Sequence, residues 1–201
     1  MIAEQKQQIR AKKKKQRENY GKEEADIRSQ QIVYAFLGEF DAEGKKILTY
    51  IPQLNSNEVD TWFLVQELLN LKKTEVYVPI FNPDTNSITP TKIDDNTEFC
   101  NDQFNIPTPE TKNIEEVEAN IESDIELDYI VIPLVAFDLN GHRLGHGRGV
   151  YDRFLKTLIN TPIKVGFGYE IQLTEKLIPV DKNDVKLDYC VTEERIFRFS
   201  R

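Results

Sequence analysis

The run Tyr129-Ile-Val-Ile-Pro-Leu-Val-Ala-Phe137 limits the folding options of this chain more than any other segment. Its residues are almost all apolar, and most are β-branched or aromatic, which predicts a central strand covered on both faces. Its longest uninterrupted apolar part, Ile130 to Phe137, contains Pro133 and falls far short of the roughly 20 residues needed to cross a bilayer. Further strands are expected at Lys46–Ile51, Thr74–Ile80, Ile163–Phe167 and Glu194–Phe199, with a short edge strand at Ile88–Ile93. Helices are expected over about 2–20, stopped by Gly21, and 23–37, stopped before Gly38. A third, over 58–71, is capped by Asn57 with Trp62, Val65, Leu68 and Leu69 on its apolar side, and a last runs over 150–159. Strands and helices in this alternation predict one layered α/β domain over residues 1–201, with a largely parallel central sheet flanked by helices. Residues 82–113, dense in Asn, Asp, Thr and Pro, read as a long connection, and Glu110–Asp128 as a solvated acidic surface segment around a short helix.

Charge is distributed unevenly along the 201 residues. Residues 1–22 carry eight Lys or Arg and two Glu, whereas the whole chain has a net charge of −8, which leaves −14 on the remainder. The first helix is therefore read as a basic surface helix on an acidic body. An acidic body opposes any protein that coats nucleic acid over its whole surface, but it leaves room for a local phosphate site. A non-catalytic RNA-binding role for Lys12–Lys15 is disfavoured, because no aromatic stacking platform accompanies the lysines. Cys100 and Cys190 stand far apart with no Cys-x-x-Cys pair or adjacent histidine cluster, so neither a disulfide framework nor a zinc site is expected. The N-terminus lacks an apolar signal core and the Arg/Ser-rich character of a transit peptide. The expectation is a cytoplasmic protein starting near Met1.

After the central strand comes Arg143-Leu-Gly-His-Gly-Arg-Gly-Val-Tyr-Asp152, in which Gly145, Gly147 and Gly149 alternate just before a helix. Glycines there permit positive φ and leave backbone N–H groups uncovered at the positive end of a helix dipole, so an anion can approach closely. Arg143, Arg148 and a protonated His146 would add donors, and Asp152 would suit a magnesium ion bridging phosphates. The spacing is neither that of a P-loop nor of a dinucleotide fingerprint. From the glycines alone, phosphate binding and a merely structural turn both stay open; Asp152 likewise reads as a first-turn acid complementing the dipole. His142 and His146 lie four apart but among glycines, a poor setting for helical zinc ligands.

The stretch Ala136-Phe-Asp-x-x-Gly-x-Arg-Leu-Gly-x-Gly-x-Gly-x-Tyr-Asp-Arg-Phe-Leu155 resembles the signature of 5-formyltetrahydrofolate cyclo-ligases, also called methenyltetrahydrofolate synthetases. Other pieces follow in the family's order. They are Lys6-x-x-x-Arg10, Glu58-Val-Asp-Thr61, Phe104-Asn-Ile-Pro-x-Pro109, Val165-Gly-x-Gly-Tyr-Glu-x-Gln172 and Pro179-Val-x-x-x-Asp184-Val-x-Leu-Asp188. Together they cover nearly the whole chain.

The resemblance implies a cytosolic enzyme that uses MgATP to convert 5-formyltetrahydrofolate to 5,10-methenyltetrahydrofolate, releasing ADP and phosphate, and working as a monomer or weak dimer. It also implies Lys6, Arg10 and Arg143, Leu144, Gly145, His146, Gly147, Arg148, Gly149, Val150 and Tyr151 as ATP contacts. Arg148 would be the catalytic residue near the transferred group, and Asp152 and Asp184 the magnesium ligands, with Asp188 a weaker alternative. Arg10, Glu58 and Val150 would face the folate, with Glu58 hydrogen-bonding the pterin. On residue type alone, Lys6 and Arg10 read as a solvated helical face and Glu58 as a first-turn helix acid. Family members commonly carry two adjacent tyrosines before the loop aspartate, whereas this chain has Val150 then Tyr151. That departure keeps an alternative open, an ATP-binding paralogue of the same fold acting on a different substrate. Asn105 and Thr108 are lesser changes in the Phe104–Pro109 piece.

Overall fold

The computed structural model describes residues 2–54, 56–110 and 125–200. Helices α1 (Ile2–Arg17) and α2 (Lys22–Glu39) precede β1 (Lys46–Leu48), α3 (Trp62–Asn70), β2 (Glu75–Asn82) and β3 (Ser87–Ile93). Then come β4 (Phe99–Asn101), β5 (Pro107–Pro109), β6 (Tyr129–Pro133), β7 (Ala136–Phe137), β8 (Arg143–Leu144) and α4 (Val150–Thr157). The chain closes with β9 (Ile163–Phe167), a 3-10 turn (Glu170–Gln172), β10 (Tyr189–Val191) and β11 (Ile196–Arg198). Seven strands form one sheet in the order β11-β10-β9-β6-β1-β2-β3. The inner pairings are parallel and the two edge pairings, β2–β3 and β10–β11, antiparallel. The expected mixed architecture with a largely parallel centre is what forms.

β6 is buried throughout its first four residues and serves both faces of the sheet. Val131 points into a core with Ile32, Phe36, Leu64, Leu68 and Phe167, contributed by α2, α3 and neighbouring strands. Ile130 and Ile132 point the other way, towards Leu48, Leu127, Phe137, Phe154 and Leu187. Each such side chain contributes roughly 1.5–3 kcal/mol of hydrophobic stabilisation.

Several boundaries differ from expectation. The run 129–137 is two strands: the ladder to β9 ends at Pro133, and β7 leaves the sheet to pair with β8. A proline has no N–H with which to continue a ladder. β1 stops at Leu48 because the chain bends away at Tyr50, whose carbonyl accepts from the Thr61 hydroxyl. Gly38 does not stop α2, which runs through it to Glu39, and Gly21 caps the start of α2. Asn57 is not a helix cap. It sits at φ 49° and its Nδ2 donates to the Tyr20 carbonyl at 3.0 Å, while Asp60 Oδ1 accepts from the Trp62 N–H at 2.9 Å and starts α3 four residues later than expected. The short pieces β4, β5, β8 and β10, two or three residues each, are too brief to show a period in sequence. Most of the acidic segment 110–128 lies outside the described residues.

Asp138, fully buried, accepts from the Asn140 and His142 amides, the His142 ring and the Ile178 amide, which fixes the β7–β8 connection. Gly141 closes this connection at φ 81°, and a Cβ there would lie 2.8 Å from the Phe199 ring and 3.0 Å from the Leu187 carbonyl oxygen. Gly141→Ala is expected to destabilise by about 2 kcal/mol, read as a lower urea midpoint at unchanged slope.

Candidate active site

β1 winds onward to β2 on one side, whereas β6, β9 and β10 build out on the other, so the winding direction reverses between β1 and β6. In open α/β sheets ligands bind beyond the carboxyl ends of the strands at this reversal. A cleft of about 1010 Å³ occupies that place, floored by Tyr50 and Ile51 after β1 and by Pro133 of β6. The glycine turn 145–149 forms one wall, α1 a second, and the β2 end with the β4–β5 hairpin, through Phe81 and Phe104, a third.

α1 docks through charge. Lys6, Arg10, Lys13 and Lys14 follow helical spacing, so they share one face. Lys6 Nζ donates to Asp184 Oδ2 at 2.5 Å and Asp181 Oδ2 at 3.1 Å, Arg10 Nε to the Gly145 carbonyl at 2.8 Å, and Lys13 Nζ to the Ile171 and Leu173 carbonyls at 2.7 and 2.6 Å. Burial disfavours the Lys6 charge, but the two aspartates outweigh it and raise its pKa above the usual lysine value. α1 is a basic surface helix as expected, but the solvated-face reading that residue type alone gave Lys6 and Arg10 does not hold: Lys6 and Arg17 are buried, Arg10 lies against the glycine turn, and Lys6 and Arg10 both line the cleft. Helical periodicity in basic residues was the available signal.

The turn itself has Gly147 at φ 105° and Gly149 at φ 63°, two positions where a side chain would strain the backbone. Gly149 leads directly into α4. Among the described residues, the amides from Gly145 to Asp152 donate to no acceptor. They form a row of open donors at a helix N-terminus, the local chemistry that receives an anion. Arg148 is exposed at the rim, its guanidinium 4.4 Å from the centroid of Phe104 and 5.6 Å from that of Phe81. Its carbonyl is held by Arg153 Nη2 at 2.8 Å and Asn86 Nδ2 at 3.4 Å. Sequence reasoning missed Phe81 and Asn86, which come from elements whose packing no local motif announces, and Arg153, which lies in the signature stretch but was given no role.

Arg143 is buried, donating to Asp152 Oδ1 at 2.9 Å and to the Val185 carbonyl, and the Val185 amide donates to the same Asp152 oxygen at 3.0 Å. Asp152 is thereby brought beside the 181–185 turn that carries Asp184. Asp152 Oδ2 and Asp184 Oδ1 make no hydrogen bond among the described residues, and both residues line the cleft. Carboxylates of this kind beside an anion cradle are the donor type that magnesium takes. Among the described residues no group of three or more His, Cys, Asp or Glu is assembled for a metal. Asp188 lies away from the cleft, taking Lys164 Nζ at 2.7 Å.

Glu58 is not in a helix. It lies on the loop after β1, nearly buried, with the His146 Nε2 2.8 Å from Oε1 and the Gln53 amide 3.2 Å from Oε2. Burial alone would push its carboxyl up, but the hydrogen bond from the His146 ring, helped by the Arg17 charge and the Gln53 amide, holds it below the usual glutamate value. Lys14 Nζ stands 3.3 Å from His146 Nδ1. An ammonium only donates, so Nδ1 accepts and Nε2–H donates to Glu58. Val150 lines the cleft half-buried, and burial pushes the neighbouring Tyr151 hydroxyl up.

A largely parallel α/β sheet with a cation-lined cleft at its winding reversal is the architecture of an α/β enzyme. The chain belongs to the 5-formyltetrahydrofolate cyclo-ligase family, whose model matches residues 2–193. It is 32% identical to the 5-formyltetrahydrofolate cyclo-ligase of Haemophilus influenzae over 93% of this chain and 97% of that one. It is 31% identical to that of Escherichia coli over 71% of this chain and 75% of the relative. The NMR structure of Aquifex aeolicus 5,10-methenyltetrahydrofolate synthetase superposes with a TM-score of 0.74 at 33% identity, over 98% of this chain and 93% of that one.

Proposed function

We infer that this chain is an ATP-dependent cyclo-ligase that converts 5-formyltetrahydrofolate to 5,10-methenyltetrahydrofolate, with release of ADP and phosphate. The observation that carries the reading is one cleft holding both halves of the requirement. Open amides from Gly145 to Asp152, with Lys6, Arg10 and Arg148 on its walls, suit a triphosphate, and the buried carboxylate Glu58 suits the donor groups of a pterin.

The chemistry follows from the weakness of a formamide oxygen as a leaving group. That oxygen attacks the γ-phosphorus, and the bond from phosphorus to the ADP oxygen breaks. N10 then closes on the formyl carbon, its proton passes to solvent, and the carbon–oxygen bond breaks with phosphate as leaving group. No covalent protein nucleophile is needed, so the protein works by positioning and by stabilising charge on the transferring group. Arg148 is the catalytic residue in this reading: it leaves its resting place over Phe104 to meet the transferring phosphoryl. Lys6 and Arg10 hold the phosphates, and Glu58 orients the pterin. Asp152 and Asp184 would hold a magnesium ion, which would supply neutralising charge beside the phosphates. Asp152→Asn keeps an oxygen for the Val185 amide but removes a charge, so the magnesium concentration for half-maximal rate is expected to rise about tenfold. A magnesium titration at fixed ATP checks this.

Absorbance of methenyltetrahydrofolate, followed with MgATP, tests the whole reading. Product formation supports it. Folded enzyme that gives no product, with a thermal shift from MgATP but none from 5-formyltetrahydrofolate, moves the assignment to a paralogue with another substrate, as Val150 would permit.

A further inference from the structure

His146 belongs to two subsites at once. Its backbone amide is one of the open donors in the glycine turn, while its ring reaches across the cleft to Glu58, 88 residues away in sequence. Both Glu58 oxygens are already engaged, Oε1 by His146 Nε2 at 2.8 Å and Oε2 by the Gln53 amide at 3.2 Å. Each oxygen keeps a second lone pair, but with the imidazole in place the Glu58 side chain is only 9% exposed, so a pterin approaching the side that the imidazole covers must displace it, and that exchange subtracts from substrate affinity. The imidazole is free to leave: its side chain is 44% exposed, it stands between Gly145 and Gly147, and nothing lies within 4 Å of a Cβ built at Gly145. Nε2–H can serve one acceptor at a time, and Lys14, 3.3 Å from Nδ1, is a further donor beside it.

We propose that His146 latches Glu58 in the nucleotide-free enzyme, and that a triphosphate seated on the 145–149 amides draws the imidazole and Lys14 away and opens the pterin subsite. This rests on the cyclo-ligase reading above. ATP then promotes binding of 5-formyltetrahydrofolate, and by linkage the folate promotes binding of ATP by the same factor. His146 is thus a positioning residue that couples the two substrates.

The test measures the Kd of 5-formyltetrahydrofolate calorimetrically, with and without saturating magnesium and the β,γ-imido analogue of ATP. In the wild type the analogue is expected to tighten folate binding about tenfold, within the usual range of coupling between sites. In His146→Ala the nucleotide-free enzyme is expected to bind folate about tenfold more tightly than wild type, and the analogue to make no further difference. His146→Gln, which keeps an N–H donor for Glu58, is expected to retain part of the coupling. A wild-type Kd indifferent to the analogue, or the same coupling in wild type and His146→Ala, overturns the latch. Wild-type enzyme that binds the analogue but no folate in either state overturns the cyclo-ligase reading, and the latch with it.

Discussion

Arg148→Ala is expected to lower kcat about 10³-fold, in line with other arginines that stabilise a transferring phosphoryl group. The melting temperature should barely move. The guanidinium is exposed and, among the described residues, makes only stacking contacts with Phe104 and Phe81, worth roughly 0.5–1 kcal/mol at such a site. Its removal leaves no buried charge unpaired. Steady-state rates and a thermal melt on the same preparation separate the two quantities, and near-wild-type turnover would remove Arg148 from the phosphoryl site. Arg148→Lys should recover little, because a point charge on a flexible stem does not reproduce a planar fork.

Glu58→Gln is expected to lower kcat/KM for 5-formyltetrahydrofolate about 10²-fold, the size of a lost hydrogen bond to a charged acceptor in a desolvated site. The KM for ATP should change far less. A pH profile gives a second signature. In the nucleotide-free enzyme, where His146 contacts it, the wild-type carboxyl titrates below the usual glutamate value of 4.5, so folate affinity measured without nucleotide holds through the mildly acidic range and falls only as pH passes below the depressed value. Glutamine has nothing to titrate there, so its weaker affinity should show no such acid limb. A variant with wild-type folate KM would place the pterin elsewhere in the cleft.

Much of this site was legible in the sequence because the turn is local. Gly145, Gly147 and Gly149, the arginines and Asp152 lie within a short span between a strand and a helix, where spacing alone fixes who faces what. The resemblance supplied Lys6, Arg10, Glu58 and Asp184, which the fold brings to the same cleft. What stayed hidden depends on contacts over long separations. Nothing in the composition of residues 53–61 says that Glu58 meets His146, and the helix read over 58–71, which begins only at Trp62, placed that carboxylate in a first turn. Asn57 misled because its type suits a cap, while its left-handed backbone and its bond to Tyr20 serve a loop. Phe81 and Phe104 form a resting place for Arg148 only once a hairpin folds over the end of β2. The basic helix was misjudged for a different reason. Amphipathic patterns are sought in apolar residues, and α1 writes its inward face in lysine and arginine.

That choice of fastening shapes how the molecule comes apart. Among the described apolar residues of α1, Ile9 packs partly buried beneath it and Ile2 is exposed, so the helix is secured mainly by ammonium and guanidinium groups on carbonyls and carboxylates. Peeling it off leaves the sheet and both of its hydrophobic faces intact, at a fraction of the global unfolding free energy. Amide exchange in α1 is therefore expected at a lower free energy than global unfolding, and in the cyclo-ligase reading a nucleotide held by Lys6 and Arg10 would slow it.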